Sequence, residues 1–283
     1  MITKLISASQ QTFFQIENGA CSASIFLQGA HLAHWQPHHT AEPVIWLSKE
    51  AIFKQGVAIR GGIPICWPWF GDMEGEVSHG FARNLDWTLI KSESMENLDE
   101  LHFLLQSSAE TKKVRPWDFD LTIIFKLGKT LEVSLTTKNL GSESFAITQA
   151  IHTYFQVGDV SKISLTGLDG CYYKDKTKNG AIAQHFGPFR FSQEHNNIFS
   201  SNGPIEIFDE ELNRKISIAK SEDSLDTVIW NPFIERSKAF IDMADDGYKT
   251  MVCVEAGNIG ENAVAIKPGQ EAMIFQHISV ENT

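Results

Sequence analysis

The sequence predicts an all-β fold, a large antiparallel β-sandwich built by residues 1–283 as a single domain. Apolar residues alternate with polar ones along most of the chain, and turn signals separate the alternating runs. No segment carries a sustained three-to-four-residue apolar period, so long amphipathic helices are not expected. Many short strands joined by tight turns are typical of sandwiches and barrels.

Two hairpins carry the clearest pattern. In the first, Asn18-Gly19 supplies a turn signal between two alternating arms within residues 13–36. In the second, Leu121, Ile123 and Phe125 lead into a turn at 127–129, and the same alternation leads out. Each arm of the second hairpin should therefore have one buried and one exposed face.

The remaining elements follow the same reasoning. Short helical turns are expected near residues 221–226 and near Phe53. Further strands are predicted at residues 145–157, 163–168, 205–208, 215–219, 239–243, 250–255 and 272–280.

Composition excludes several functions. The formal net charge of -11 disfavours nucleic acid as a partner, because an acidic surface repels a polyanion. The sequence shows no signal peptide and no apolar run long enough to span a bilayer. Four scattered cysteines without a CxxC pair indicate reduced thiols, so the cytoplasm is the expected compartment. Nothing in the sequence indicates the oligomeric state.

No cofactor or metal is predicted. The chain has no GxSxG turn, Walker loop, GxGxxG helix start or HExxH helix. His38 and His39 are the only adjacent histidines, and they lie in a polar stretch that predicts a solvated loop.

Two loops present arginine beside glycine. The stretch from Arg60 to Gly71 combines two leading glycines with Trp67, Trp69 and Phe70, which suits either a rigid loop at a pocket or a connection that lines the core. The stretch from Ser78 to Arg83 places His79 four residues before an arginine. Two arginines that converge could bind a dianion through their planar forks, whereas each alone is an ordinary surface residue.

Two predicted strands carry proton-transfer groups. If residues 147–155 are extended, Thr148, His152 and Tyr154 share one face. Residues 251–257 likewise place Cys253 and Glu255 on one face, with the carboxylate near the strand end. Either residue could be structural: a satisfied histidine, or a glutamate exposed at the end of its strand. Burial of Glu255 would instead raise its pKa and suit it to act as a base.

These stretches resemble the aldose 1-epimerase superfamily, specifically its hexose-6-phosphate 1-epimerase branch. The matching runs occur in the family's order and cover most of the chain: Arg60-Gly-Gly-Ile-Pro, Trp67-Pro-Trp-Phe-Gly, His79-Gly-Phe-Ala-Arg83, His152-Thr-Tyr-Phe, Asp245-Asp-Gly-Tyr-Lys and Cys253-Val-Glu255. The resemblance implies a galactose mutarotase-like β-supersandwich with its active site in a cleft across one sheet. It also implies a cofactor-independent isomerase that interconverts the α and β anomers of a hexose 6-phosphate, with glucose 6-phosphate favoured.

The resemblance also assigns roles. His152 corresponds to the catalytic acid and Glu255 to the base, while Arg60 and Arg83 correspond to the residues that hold the substrate phosphate. His79 belongs to the same binding loop. Two positions depart from the family's usual residues, and both put sugar specificity in question: Ser78 stands where glutamine is common, and Asn196 stands where an aspartate usually binds sugar hydroxyls.

The assigned pair fits the chemistry of ring opening. Opening a pyranose removes a proton from the anomeric hydroxyl and supplies one to the ring oxygen, which a carboxylate and a protonated imidazole can do together. Two other functions remain open. A free-hexose epimerase predicts that Arg60 and Arg83 do not converge, and a non-catalytic sugar-binding protein predicts that His152 and Glu255 do not face each other.

Overall fold

The computed structural model describes residues 1–283. Its short helices are α1 (Ala109–Val114) and α2 (Phe233–Ser237). The strands, in chain order, are β1 (Ile2–Ile6), β2 (Thr12–Glu17), β3 (Cys21–Phe26), β4 (His31–Pro37), β5 (Ile65–Cys66), β6 (Thr88–Ser94), β7 (Asp99–Gln106), β8 (Phe119–Leu127), β9 (Leu131–Asn139), β10 (Phe145–Ile147), β11 (Gln149–Ile151), β12 (Tyr154–Gln156), β13 (Ile163–Thr166), β14 (Tyr172–Asp175), β15 (Ala181–Gln184), β16 (His195–Ser200), β17 (Ile205–Asp209), β18 (Arg214–Lys220), β19 (Asp226–Asn231), β20 (Met251–Asn258), β21 (Val264–Ile266) and β22 (Glu271–Asn282).

Two eight-stranded antiparallel sheets make up most of the fold. One has the strand order β13-β17-β18-β22-β9-β8-β7-β6. The other has the order β15-β14-β16-β19-β20-β11-β5, and β12 also pairs with β20. A four-stranded sheet, β1 to β4, and the short pair β10-β21 complete the structure. The predicted all-β antiparallel class is therefore confirmed.

One apolar core of 51 buried residues joins these sheets. Strand β8 shows how the sequence builds it: Leu121, Ile123 and Phe125 are fully buried, and the residues between them are partly exposed. This alternation follows from the two-residue period of a strand with one face against the core. Strand β20 contributes Val252 and Val254 to the same core.

Both predicted hairpins are present. Strands β2 and β3 pair antiparallel, and the side chain of Asn18 closes their turn by accepting hydrogen bonds from the backbone N–H groups of Ala20 and Cys21. Strands β8 and β9 pair in register up to Leu127 opposite Leu131.

The predicted strand at residues 239–243 is wrong. These residues form a turn after α2. Asp242 accepts a hydrogen bond from Arg60 and Phe240 packs against its guanidinium, so neither pairs with a neighbouring strand. The predicted strand at 145–157 is divided into β10, β11 and β12. At the second break, the backbone N–H of His152 donates to the carbonyl oxygen of Pro64 and leaves the ladder with β20.

The predicted helical turns near 221–226 and Phe53 do not form helices, and the helices that exist lie elsewhere. Helix α1 begins after Ser108, whose side chain and that of Thr111 cap its first turn reciprocally. Such short helices give no periodic signal in the sequence.

All four cysteines are free, as predicted. No helix of the structure combines the length and the apolar character that crossing a membrane requires.

Candidate active site

Strand β20 separates the core from a second, smaller apolar cluster. Val252 and Val254 point into the core, whereas Met251 and Cys253 pack with Trp46, Tyr154 and Met243 on the opposite face. Glu255 follows on that opposite face because of the two-residue period. The sequence placed Glu255 near a strand end, but it lies within β20 and is 1% exposed. Burial on this scale requires a partner or a use for the carboxyl group.

His152 meets Glu255 from the break between β11 and β12. Its Nε2 atom lies 3.3 Å from Oε1 of Glu255, and the imidazole is itself buried. The ring stacks on Tyr154 with 4.9 Å between centroids, and the edge of Trp230 approaches at 6.3 Å. The other polar atoms of the pair, Nδ1 of His152 and Oε2 of Glu255, are buried and have no partner. A polar ligand could satisfy both atoms.

Burial decides where the pair keeps its proton. It raises the pKa of Glu255 well above the ordinary carboxyl value, an effect that the charges of Lys176 and Arg83 only partly offset. It also lowers the pKa of His152 to about 3, and the positive charges of Arg83 and Arg60 act in the same direction. Burial therefore favours a carboxylic acid beside a neutral imidazole over the charged pair. The sequence reasoning expected a carboxylate and an imidazolium.

His79 lies beside this pair on a strained loop. Its backbone has φ of +63°, and its Nδ1 accepts a hydrogen bond from the N–H of Gly71 at 3.2 Å. A neutral ring in this arrangement carries its proton on Nε2. Burial is the main cause of a lowered pKa that keeps the ring neutral. The ring centroid is 5.7 Å from that of His152, so His79 can offer an uncharged donor at the site.

Arg60 approaches from the side of Tyr154. Its Nε lies 3.1 Å from a carboxylate oxygen of Asp242, and a terminal nitrogen donates to the hydroxyl of Tyr154 at 3.2 Å. Its guanidinium lies 4.4 Å from the ring centroid of Phe240. Arg60 is thus close to the pair, but its charge is already matched.

Arg83 approaches from the loop that carries His79. It donates to the carbonyl oxygen of Ser78, and its buried Nε has no partner. Its charge acts on the pKa of both His152 and Glu255. The charges of Arg60 and Arg83 therefore both reach His152, although only Arg83 lacks a carboxylate partner within 4.0 Å.

The two positions that depart from the family pattern lie at the edge of this group. Ser78 contributes its backbone carbonyl to Arg83. Asn196 lies opposite Trp230, which in turn lies opposite Cys253, so these three side chains share one face of the sheet. Two strand spacings put Asn196 about 10 Å from Cys253.

The aromatic residues divide between core and site. Trp67 and Trp69 are buried in the main core. Phe70 is half-buried and packs edge-to-face on His79. Trp230, also half-buried, lies against His152 and Tyr154. Phe70 and Trp230 are the aromatic residues placed to meet a sugar ring.

Sequence reasoning missed three residues here. Tyr154 fell inside a recognised run but received no role, and Asp242 was assigned to a strand. Lys176 gave no signal, because it lies in the charged run Lys174-Asp-Lys-Thr-Lys, which looks like any exposed turn. Only the folded chain brings its Nζ to 5.9 Å from the ring centroid of Phe70.

One cluster could offer donor atoms to a metal ion. A nitrogen of His152, the thiol of Cys253 and an oxygen of Glu255 lie within 4.8 Å of one another, all buried. Burial raises the pKa of the Cys253 thiol well above its ordinary value, so the sulfur is protonated and a poor nucleophile. Acid–base ring opening asks for no metal at this position.

Residues 12–279 match the family model described as aldose 1-epimerase. The chain belongs to the aldose 1-epimerase family. It is thus an isomerase that interconverts sugar anomers, and its small-molecule partner is a sugar.

Relatives of this family member are close over nearly the whole chain. A protein of Escherichia coli K12 named "Putative glucose-6-phosphate 1-epimerase" is 41% identical over 271 residues, covering 94% of this chain and 89% of that protein. A protein of the same name from Salmonella typhimurium LT2 is 42% identical over 246 residues, covering 85% and 81%. The crystal structure of a "putative mutarotase (YeaD)" from Salmonella typhimurium superposes with a TM-score of 0.93 at 37% identity, covering 100% of this chain and 94% of that one.

Proposed function

We propose that this epimerase acts on hexose 6-phosphates, with glucose 6-phosphate favoured, and that His152 and Glu255 transfer the protons. The observation that carries the proposal is the buried pair 3.3 Å apart with an unpartnered polar atom on each side chain, close to cations in a protein whose net charge is -11. The relatives named for glucose 6-phosphate support the choice of substrate.

Substrate binding prepares the pair. The anomeric hydroxyl donates to Oε2 of Glu255, which favours the carboxylate form because a carboxylate is stabilised by hydrogen bonds to it. The phosphate dianion compensates the charge of Arg83, which otherwise lowers the pKa of His152. Both effects move the shared proton from Glu255 to Nε2 of His152.

Ring opening then needs one concerted exchange of protons. Glu255 takes the proton from the anomeric hydroxyl, the bond from the anomeric carbon to the ring oxygen breaks, and His152 protonates that oxygen. Rotation about the first carbon–carbon bond of the aldehyde exposes its other face. Closure reverses both transfers and restores the enzyme. Each well-placed proton transfer contributes roughly 10²–10⁴-fold.

The surrounding residues hold the sugar. His79 donates from Nε2, Asn196 and the backbone near Ser78 offer hydrogen-bond partners, and Phe70 or Trp230 packs on the apolar face of the ring. One apolar core joins the sheets, which supports a single working domain. We place the enzyme in the cytoplasm, because a phosphate dianion is too costly to move across a bilayer and its substrate stays inside the cell.

Anomer exchange measured by NMR saturation transfer tests the proposal. Wild-type protein should exchange the anomeric protons of glucose 6-phosphate faster than those of glucose, and His152→Ala should lose the acceleration. Equal acceleration of both sugars would favour a free-hexose epimerase. Exchange no faster than in buffer for either sugar would favour binding without turnover.

A further inference from the structure

Three cations surround the catalytic pair, and they differ in how their charges are balanced. Arg60 is paired with Asp242 at 3.1 Å and also donates to Tyr154. Arg83 and Lys176, by contrast, have no carboxylate within 4.0 Å. A dianion is attracted most strongly by charge that no neighbouring carboxylate already compensates.

Lys176 is set apart from its neighbours in the chain. Two residues further on, Lys178 lies 3.1 Å from Asp175 and is thereby paired. Lys176 instead turns toward the loop of residues 67–83: its Nζ is 5.9 Å from the centroid of Phe70, and a Cβ added to Gly71 would be 3.7 Å from it. Phe70 in turn contacts His79 with 4.7 Å between ring centroids.

The turn that carries Lys176 has fixed ends. The side chain of Asp175 accepts from the N–H of Thr177 and caps the turn, and Asn179 closes it in the left-handed conformation with φ of +55°. The charge of Lys176 reaches the catalytic group from this position, because it counteracts the rise in the pKa of Glu255. The charge of Arg83 reaches the same carboxyl group.

We propose that Lys176 and Arg83 together bind the phosphate of the substrate, and that Arg60, already paired with Asp242, positions Tyr154 against His152. This assignment rests on the proposed function and deepens it. We call Lys176 and Arg83 the phosphate clamp. The planar guanidinium of Arg83 fixes the orientation of the bound phosphate, and the flexible side chain of Lys176 adds a point charge that can move with it. The side chain of Lys176 is exposed in the ligand-free protein, so it is free to bend toward a dianion.

Binding measured by isothermal titration calorimetry tests the clamp without depending on turnover. At constant ionic strength, Lys176→Met should raise the Kd of glucose 6-phosphate roughly tenfold, as expected for loss of one charge-assisted contact. The same substitution should change the Kd of glucose by much less. Lys176→Arg should restore most of the affinity for the phosphate ester. Arg60→Gln should raise the Kd of glucose 6-phosphate and the Kd of glucose by similar factors.

Lys178→Met is the matched control, since it removes the same charge from the same turn. It should leave the Kd of glucose 6-phosphate within about twofold of wild type, because its partner is Asp175. Equal losses in the two lysine variants, or no loss in Lys176→Met, would overturn the clamp, as would a wild-type protein that binds both sugars equally. A protein that binds glucose 6-phosphate through Lys176 but does not accelerate anomer exchange would refute the proposed function and leave the clamp standing.

Discussion

The Nε2 atom of His152 lies 3.3 Å from Oε1 of Glu255, and both side chains are buried, so one proton can pass directly between them. This relationship makes the pair a single acid–base unit. Burial favours the form with the proton on the carboxyl group, because both charged forms are disfavoured away from water. The same proton on the imidazole gives the state that ring opening requires.

Removing either member of the pair should abolish most turnover without unfolding the protein. Glu255→Gln and His152→Asn keep similar shapes and should each lower kcat roughly 10²–10⁴-fold, since each removes one proton transfer. Cys253→Ala is the matched control: it touches the same pocket, but its thiol is protonated and has no proposed step. Saturation-transfer rates and circular dichroism would check all three. Loss of activity in Cys253→Ala with an intact fold would mean that the thiol participates.

The pH dependence should lack the usual histidine inflection. In acid, the pair loses its function as a base only when His152 also takes up a proton. Because the pKa of His152 is about 3, this protonation occurs well below pH 5. Alkali removes the shared proton only through the raised pKa of Glu255. For free glucose, the acid limb of kcat/KM should therefore lie below pH 5, whereas an ordinary histidine would give an inflection near 6.5. Glucose is the substrate of choice, because a phosphate ester itself titrates near pH 6.

Stability should fall in mild acid because of buried neutral histidines. Burial is the main cause that lowers the pKa of His31 to about 3, so between that value and 6.5 the unfolded chain binds a proton that the folded chain does not. Stability is lost as the pH falls through this window. Between pH 7 and 5, the free energy of unfolding of His31→Asn should therefore fall by about 2 kcal/mol less than that of wild type.

Thermal or urea unfolding at both pH values would measure this difference. His38→Asn is the control, because its side chain is exposed. A parallel pH dependence in wild type and His31→Asn would show that the buried ring does not govern acid stability.

The loop that carries His79 should depend on one glycine. A Cβ added at Gly80 would lie 2.0 Å from the carbonyl oxygen of Trp67, and the backbone there has φ of +74°. Gly80→Ala should destabilise the protein by about 2 kcal/mol or more and lower activity. Gly75→Ala shares the positive φ but meets nothing within 4 Å, so it should cost only about 1 kcal/mol. Similar unfolding midpoints for the two variants would contradict the importance of the close approach.

A chelator should leave activity unchanged. His152, Cys253 and Glu255 place donor atoms within 4.8 Å of one another, yet proton transfer between the first and last of these needs no ion. Saturation-transfer rates before and after dialysis against EDTA would check this, with Cys253→Ala as a variant that lacks the sulfur donor. A loss of rate that zinc restores would assign the cluster to a metal.

The sequence by itself determined the fold class and the outline of the site. Alternation along β8 and β9 decides which face is buried, because the two-residue period of a strand leaves one choice. The runs around Arg60, His79, His152 and Glu255 indicated the family. Their unusual combinations of glycine, proline and aromatic residues can be recognised in the sequence without knowledge of the fold.

The tertiary structure decided what depends on distance and burial. Residues 239–243 look like a strand by composition, but the hydrogen bond from Arg60 to Asp242 holds them in a turn. The break at His152 arises from its bond to Pro64, which is far away in sequence. Burial favours the proton on the carboxyl group over the imidazole, and burial is a property of the assembled sheets. In the sequence, Lys176 resembles any surface lysine. Its role depends on its position beside Phe70, and the fold alone decides that position.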